Sequence, residues 1–474
     1  MLFPTFEFGL FFLAVYVVAW LARDRLTVRK LFLLATSYFF YAQWDWRFTG
    51  LLAFSSALNY LGGLGLNRFD APRTRKAIML AVVAANLVVL GFFKYYGFFI
   101  DSLTDLFVAW GIRRDLPILE IILPVGISFF TFQGISYVVD VYRGQIKHPV
   151  SLLDLFLFIS FFPQLVAGPI VRAAHFLPQL RRKSTLDGET LAYGLVLIVS
   201  GLFKKTVVAH YIATDLVDPV FLDPASHTTL DLIGAQYAYA VQVYLDFSAY
   251  SDIAIGIAAL LGFRFRKNFD RPFGSTSLAQ LWQRWHISLS TFLRDYLYRA
   301  LRGERRESTL MTYRNIFLTM LLGGLWHGAA WTFIIWGAIH GLALVAERHF
   351  KRVSGTFRKA LSPWLGALFG WLFAFHVFTL AAIFFRSPNI GIAADYFASL
   401  ARFRPGVDFL TPFNAALIVA CVAVHFLPGD ALNRVAERLR PLPVAALGLL
   451  FGLGILASEA IGPEGVAPFI YYQF

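Results

Sequence analysis

Apolar residues in this chain gather in long runs, at about 8–22, 31–43, 49–66, 77–93, 117–140, 151–170, 190–213, 231–263, 316–346, 362–386, 412–427 and 443–461. A helix needs about 20 mostly apolar residues to cross the hydrocarbon core of a bilayer. The pattern therefore predicts an all-α, polytopic integral membrane protein with about ten to twelve transmembrane helices. The longest polar interval, about 264–315, is itself amphipathic, so residues 1–474 read as a single integral membrane domain. No internal repeat is visible, and an inverted-repeat transporter gains no support.

The segment at about 280–298 is patterned differently. Leu281, Trp282, Trp285, Leu289, Phe292, Leu293 and Tyr296 fall within a stripe about 120° wide at 100° per residue, with Arg284, Ser288, Thr291 and Asp295 on the adjacent face. This predicts an interfacial helix lying along the membrane, with Trp and Tyr at headgroup depth. His286 falls just beyond the edge of the stripe, placed to face protein. Within the run 151–170, Pro163, Gly168 and Pro169 interrupt the apolar pattern. Broken backbone at membrane depth is tolerated only inside protein or beside a water-filled cavity, so this segment reads as re-entrant or tunnel-lining.

Composition closes off other classes. Hydrophobic residues make up 58% of the chain and charged residues 15%, with mean hydropathy +0.62. A soluble domain carries about 25% charged residues, and too few are present here to cover a soluble surface. The net charge of +13 lies in short loops, marked by Arg23, Arg25, Arg29 and Lys30, by Arg68, Arg73, Arg75 and Lys76, by Arg181, Arg182 and Lys183, by Arg264, Arg266 and Lys267, and by Arg348, Lys351, Arg352, Arg358 and Lys359. That is the positive-inside pattern rather than a nucleic-acid surface, and it places both termini outside the cytoplasm. The lone Cys421 excludes an intrachain disulfide, and the first apolar run lacks the basic flank of a cleavable signal.

The sharpest chemical feature is Leu321-Leu322-Gly323-Gly324-Leu325-Trp326-His327-Gly328-Ala329-Ala330-Trp331. An ionisable group at membrane depth is costly and marks a candidate site. Gly324 and Gly328 form a small-xxx-small pair that brings another backbone close. Trp331, four residues on, lies on the same face as His327, so the imidazole is expected in a tight channel with aromatic walls. The histidine is either a base that takes a proton from an attacking alcohol or a group bonded between helices. His340, thirteen residues on, lies about 140° away on a continuous helix and reads as a packing or interhelical hydrogen-bond residue. His376 and His425 read as structural.

Asp246 and Asp252 lie in an otherwise apolar run, suiting either structural bonding with Tyr250 and Ser248 or an ion or proton path. Lys204 and Lys205 follow a long apolar stretch, suiting either snorkelling to the interface or an acidic ligand at the cytoplasmic mouth. Arg284, Arg294, Arg299, Arg302, Arg305 and Arg306 suit either anionic headgroups or a phosphate-bearing donor. No nucleotide-binding loop, zinc-protease motif or nucleophile elbow occurs, and no metal site is expected.

Four ordered motifs carry a resemblance: Phe161-Phe162-Pro163-Gln164-Leu165-Val166-Ala167-Gly168-Pro169-Ile170, Asp246-Phe247-Ser248-Ala249-Tyr250-Ser251-Asp252, Arg284-Trp285-His286-Ile287-Ser288-Leu289-Ser290 and Leu325-Trp326-His327-Gly328-Ala329. With the closing Pro468–Phe474 segment, the chain resembles the membrane-bound O-acyltransferase family, in particular its bacterial branch that acylates exported polymers. The resemblance implies a ring of helices around a tunnel, with His327 as the catalytic histidine and His286 as a second tunnel histidine. Trp326, Trp331, Asp246, Asp252, Asn268, Arg284, Trp285 and Lys205 are further tunnel or substrate-binding candidates. It implies no bound cofactor. An acyl thioester, acetyl-CoA or an acyl-carrier phosphopantetheine, serves as donor substrate, and an extracytoplasmic protein accepts the acyl group. The expected setting is the bacterial inner membrane, among its lipids. The expected activity is O-acetylation of an exported polysaccharide, alginate first. Peptidoglycan or cellulose acetylation, or D-alanylation of teichoic acid, would use the same chemistry, and a proton-coupled transporter using Asp246 and Asp252 is the reading from another class.

Overall fold

The computed structural model describes residues 2–112, 119–166, 168–303, 308–354, 362–429 and 431–462. Ala167, Arg305, Arg306, Arg358, Lys359 and the closing segment 468–474 lie outside them. The described residues are helical with no strand, as the apolar runs predict. Among the described residues, five helices are individually long and apolar enough to cross a membrane: Pro72–Ala109, Gly188–Leu222, Thr229–Leu260, Pro363–Arg386 and Val444–Ile461. The pair Pro412–Phe426 and Ala431–Leu439 makes a sixth if counted as one span. The other apolar runs fold as helices that are shorter, broken or more polar.

The chain divides into two compact units, Met1–Asp187 with Ile257–Phe265, and Gly188–Gly256 with Arg266–Phe474. In the first unit, polar groups are buried in matched sets. Asn59 and Asn86 exchange amide hydrogen bonds at 3.2 and 3.1 Å, and Gly134 makes room for them, since a Cβ there would lie 2.2 Å from Asn59 Nδ2. Lys30 pairs with Asp154 at 2.6 Å, and buried Arg29 donates to Ser184 and the Leu261 carbonyl. The interrupted motif breaks where its prolines and glycine predict. The helix Leu152–Ser160 stops at Phe161, a single turn Phe162–Leu165 follows, and Ser37 Oγ accepts from the freed Phe162 N–H at 3.2 Å. The break is fully buried in protein, which satisfies the rule for irregular backbone in lipid.

The second unit is organised by close helix pairs. Gly201 packs against Ala249 and Ile253, and Gly256 against the Gly194 carbonyl, so the helices Gly188–Leu222 and Thr229–Leu260 run antiparallel with backbones in near contact. Asp231, in the first turn of the latter, accepts from Thr228 Oγ1 at 2.6 Å and from the backbone N–H groups of Asp408, Phe409 and Leu410.

Two expectations change here. The run 316–346 is a hairpin rather than one helix: Thr309–His327, an extended break at 328–330, then Trp331–Val353. Gly324 meets the Phe333 carbonyl and Gly337, and a Cβ at Gly328 would lie 2.0 Å from the Phe333 ring. The small-residue pairing therefore folds the segment back on itself. Nor is 281–298 a continuous interfacial helix. It is helical over Leu278–Arg284, turns at His286 with φ 40° and ψ 57°, and resumes at Ile287–Phe292 before a π-helical stretch, Leu293–Tyr298. Periodicity alone does not reveal a single left-handed residue that leaves the pattern on either side intact.

Candidate active site

His327 is the last residue of its helix and is 3% exposed. Trp326 lies 5.0 Å from its imidazole between centroids, Trp336 4.9 Å and Phe385 5.3 Å, all edge-on. Trp336 belongs to the second arm of the hairpin and Phe385 to the helix Pro363–Arg386. Trp331 does not share a helical face with His327, because the helix ends between them, and it is 52% exposed. The aromatic wall assigned to Trp331 is supplied instead by Trp336 and Phe385. Gly324 facing Gly337 is the sequence signal that could have found Trp336, since that contact sets the hairpin register.

His286 is fully buried and touches the same tryptophan: its ring lies 5.9 Å from Trp326 and 4.5 Å from Phe247. Neither of its ring nitrogens has a hydrogen-bond partner among the described residues. Trp326 thus contacts both imidazoles. The left-handed turn, not the helical angle, aims His286 inward, and such a conformation costs a non-glycine residue about 1–2 kcal/mol. Asn268, 1% exposed, holds this turn. Its Oδ1 accepts from the Ser288 N–H at 3.1 Å and from Ser288 Oγ at 2.8 Å, and its Nδ2 donates to Ser251 Oγ at 3.0 Å. Its backbone carbonyl accepts from Ile287 N at 2.8 Å, and Arg284 contributes its own carbonyl to the Asp270 N–H at 2.9 Å. Trp285 packs on Phe378 at 4.7 Å and Phe269 at 5.2 Å.

His340 joins the cluster from the other arm of the hairpin, 4.7 Å from Trp336 and 5.1 Å from Trp282. The expected alternative of an interhelical hydrogen bond is absent among the described residues: both ring nitrogens lack a partner there in a fully buried ring, and what holds it is packing. His376 and His425 each bond the carbonyl four residues back, Leu372 at 2.8 Å and Cys421 at 2.9 Å. Because a carbonyl only accepts, Nδ1 carries the proton in both, and Tyr237 donates to His376 Nε2 at 3.0 Å.

The two lysines do not snorkel. Lys204 and Lys205 open a π-helical stretch, Phe203–Ala209, whose wider turn brings consecutive side chains closer in direction than an α-helix does. Both reach the facing helix. Lys204 pairs with Asp252 at 2.6 Å and donates to Ser248 at 3.1 Å, and Lys205, 5% exposed, pairs with Asp246. Each intramembrane aspartate therefore has a cation of its own, in place of the expected bonds within its own helix. Among the described residues, no group of three or more His, Cys, Asp or Glu is placed to hold a metal ion.

Residues 138–386 match the family model for MBOAT, the membrane-bound O-acyltransferase family, over more than half of the chain. The chain belongs to this family. It is a membrane-embedded O-acyltransferase, and the cluster around His327 and His286 lies wholly inside the matched region. Across 79% of its length it is 42% identical to a probable alginate O-acetylase of Azotobacter vinelandii, covering 73% of that protein. It is 36% identical to a probable alginate O-acetylase of Pseudomonas putida over the full length of both. It is also 36% identical to a peptidoglycan O-acetyltransferase of Helicobacter pylori, over 82% of this chain and 77% of the relative. The acyltransferase's several apolar helices fit a multi-pass membrane protein.

Proposed function

We propose that this acyltransferase sits in the bacterial inner membrane with both termini outside, and moves an acetyl group from a cytoplasmic thioester to a hydroxyl presented from the outer side. The acceptor is an exported polysaccharide, alginate, reached through an extracytoplasmic partner protein. The donor is acetyl-CoA or an acyl-carrier phosphopantetheine thioester. The observation that carries this reading is a buried imidazole, His327, at the turn of a helical hairpin and walled by Trp326, Trp336 and Phe385. The acceptor oxygen attacks the thioester carbonyl while His327 takes its proton. The tetrahedral intermediate then collapses, the carbon–sulfur bond breaks, and the imidazolium returns the proton to the leaving sulfur. His286, whose ring nitrogens have no partner among the described residues, donates to the oxyanion. With His327 only 3% exposed, both reactants reach it when the aromatic wall yields, which makes side-chain gating part of the cycle.

Replacement of His327 by Ala tests the reading. A positioned general base contributes about 10²–10⁴-fold, so acetyl transfer in membranes holding normal amounts of the protein should fall by that factor. An undiminished rate removes His327 from the chemistry. The 36% identity to a peptidoglycan O-acetyltransferase supports peptidoglycan as a second acceptor. Analysis of the esters released from each polymer, in strains with and without the chain, separates the two. Pairing of Asp246 and Asp252 with Lys205 and Lys204 argues against an open carboxylate ion path.

A further inference from the structure

Away from the histidines, the second unit carries a long apolar groove of about 400 Å³. One wall is the helix Gly188–Leu222 from Ala192 to Phe203, the other the helix Val444–Ile461 from Leu447 onward, and Val435 and Leu439 close one end. Ser200 and Ser458 are the only polar side chains among its described lining residues, and Ser458 donates its hydroxyl to the Gly454 carbonyl at 2.9 Å. Gly454 against Val199, and Tyr211 against the Ile461 carbonyl, fix the two walls as parallel helices, so the groove runs along their axes. The eleven helical rises between Ala192 and Phe203 span about 16 Å at 1.5 Å per residue. That is close to the depth of one leaflet, half of the ~30 Å hydrocarbon core.

The closed end is cationic. The short helix Ala431–Leu439 turns Val435 and Leu439 into the groove, and Arg434 and Arg438, four residues apart, share the neighbouring face. Both arginines are exposed. Arg438 makes no ion pair among the described residues, and Arg434 donates only to the Pro428 carbonyl at 3.4 Å. Glu437 is turned about 80° further from the groove than the arginines are. Arg440, just beyond, is held by Glu189 at 3.4 Å.

We propose that this groove is a binding site for an anionic phospholipid. One acyl chain lies along the groove, and the phosphate-bearing headgroup sits on Arg434 and Arg438. The charge at one end and the apolar walls, parallel to the spanning helices, match that ligand and not a peptide, whose backbone amides would find no partners along such walls. The site is independent of the acyl-transfer chemistry.

Native mass spectrometry of the purified full chain, titrated with phosphatidylglycerol or phosphatidylcholine, tests it. Phosphatidylglycerol should be retained at one per chain and preferred by about fivefold for each arginine, hence about 25-fold in all. Arg434→Gln with Arg438→Gln should erase the preference while phosphatidylcholine still binds. Ala457→Trp fills the groove from an exposed position and should abolish retention of both lipids; an unchanged melting temperature shows that it folds. Equal retention of the two lipids by the wild-type chain overturns the proposal. So does retention unaffected by Ala457→Trp, or a lipid-free dimer as the species that covers the groove.

Discussion

Gly324 ties the packing of the hairpin to the placement of His327, and Gly324→Ala makes that tie measurable. A Cβ built on Gly324 would lie 2.3 Å from the Phe333 carbonyl oxygen and 2.9 Å from Gly337 Cα, where ordinary contact begins at 3.4 Å. The neighbours are backbone, so the strain cannot be relieved by a rotamer change, and the two arms must part by about 1 Å. His327 follows Gly324 by one helical turn on one arm, and Trp336 sits beside Gly337 on the other, so the separation falls directly on their 4.9 Å contact. A misplacement of about 1 Å at a reacting group costs about 100-fold in rate, while overpacking costs about 1–3 kcal/mol of stability. The assay is acetyl transfer by the purified enzyme in lipid nanodiscs, with a melting curve alongside. Gly341→Ala is the companion variant. Its Cβ would meet Phe317 at 3.0 Å and beyond, further from the histidine, and should cost much less activity. Full activity in a stably folded Gly324→Ala protein refutes the claim that the spacing of the hairpin sets the site.

Further outcomes follow from the same geometry. His286→Asn keeps a residue that tolerates the left-handed turn but removes the imidazole. It should melt near the wild-type temperature and lose about 100-fold or more in kcat, with the KM for donor little changed, if His286 stabilises the oxyanion. Equal kcat in the two proteins assigns His286 to packing alone. Lys205→Met removes the cation paired with the buried Asp246 carboxylate and should cost about 3–5 kcal/mol, read as a lower melting temperature. Adding Asp246→Leu should recover most of that loss, and a double variant no more stable than the single one shows that the pair does not act as a unit.

Much of this protein could be read from residue order. The apolar runs required membrane helices because backbone polar groups have no other partner in hydrocarbon. Prolines and a glycine marked the break after Phe161, and a histidine at membrane depth marked the site because burying an ionisable ring needs a reason. What helical periodicity could not carry were the places where the chain leaves the helix without leaving the pattern. His286 turns inward through one left-handed residue held by Asn268, a partner some twenty positions away from Ser288. His327 and His340 stand on opposite arms of a hairpin because Gly324 and Gly337 close on each other, a contact that exists only between helices. Lys204 and Lys205 meet Asp252 and Asp246 across a π-helical turn rather than reaching for the interface. Local sequence sets which residues must be buried, through hydrophobicity and backbone hydrogen bonding. Which buried residues face one another depends on the register between helices, and that is decided by packing contacts between positions far apart in the chain.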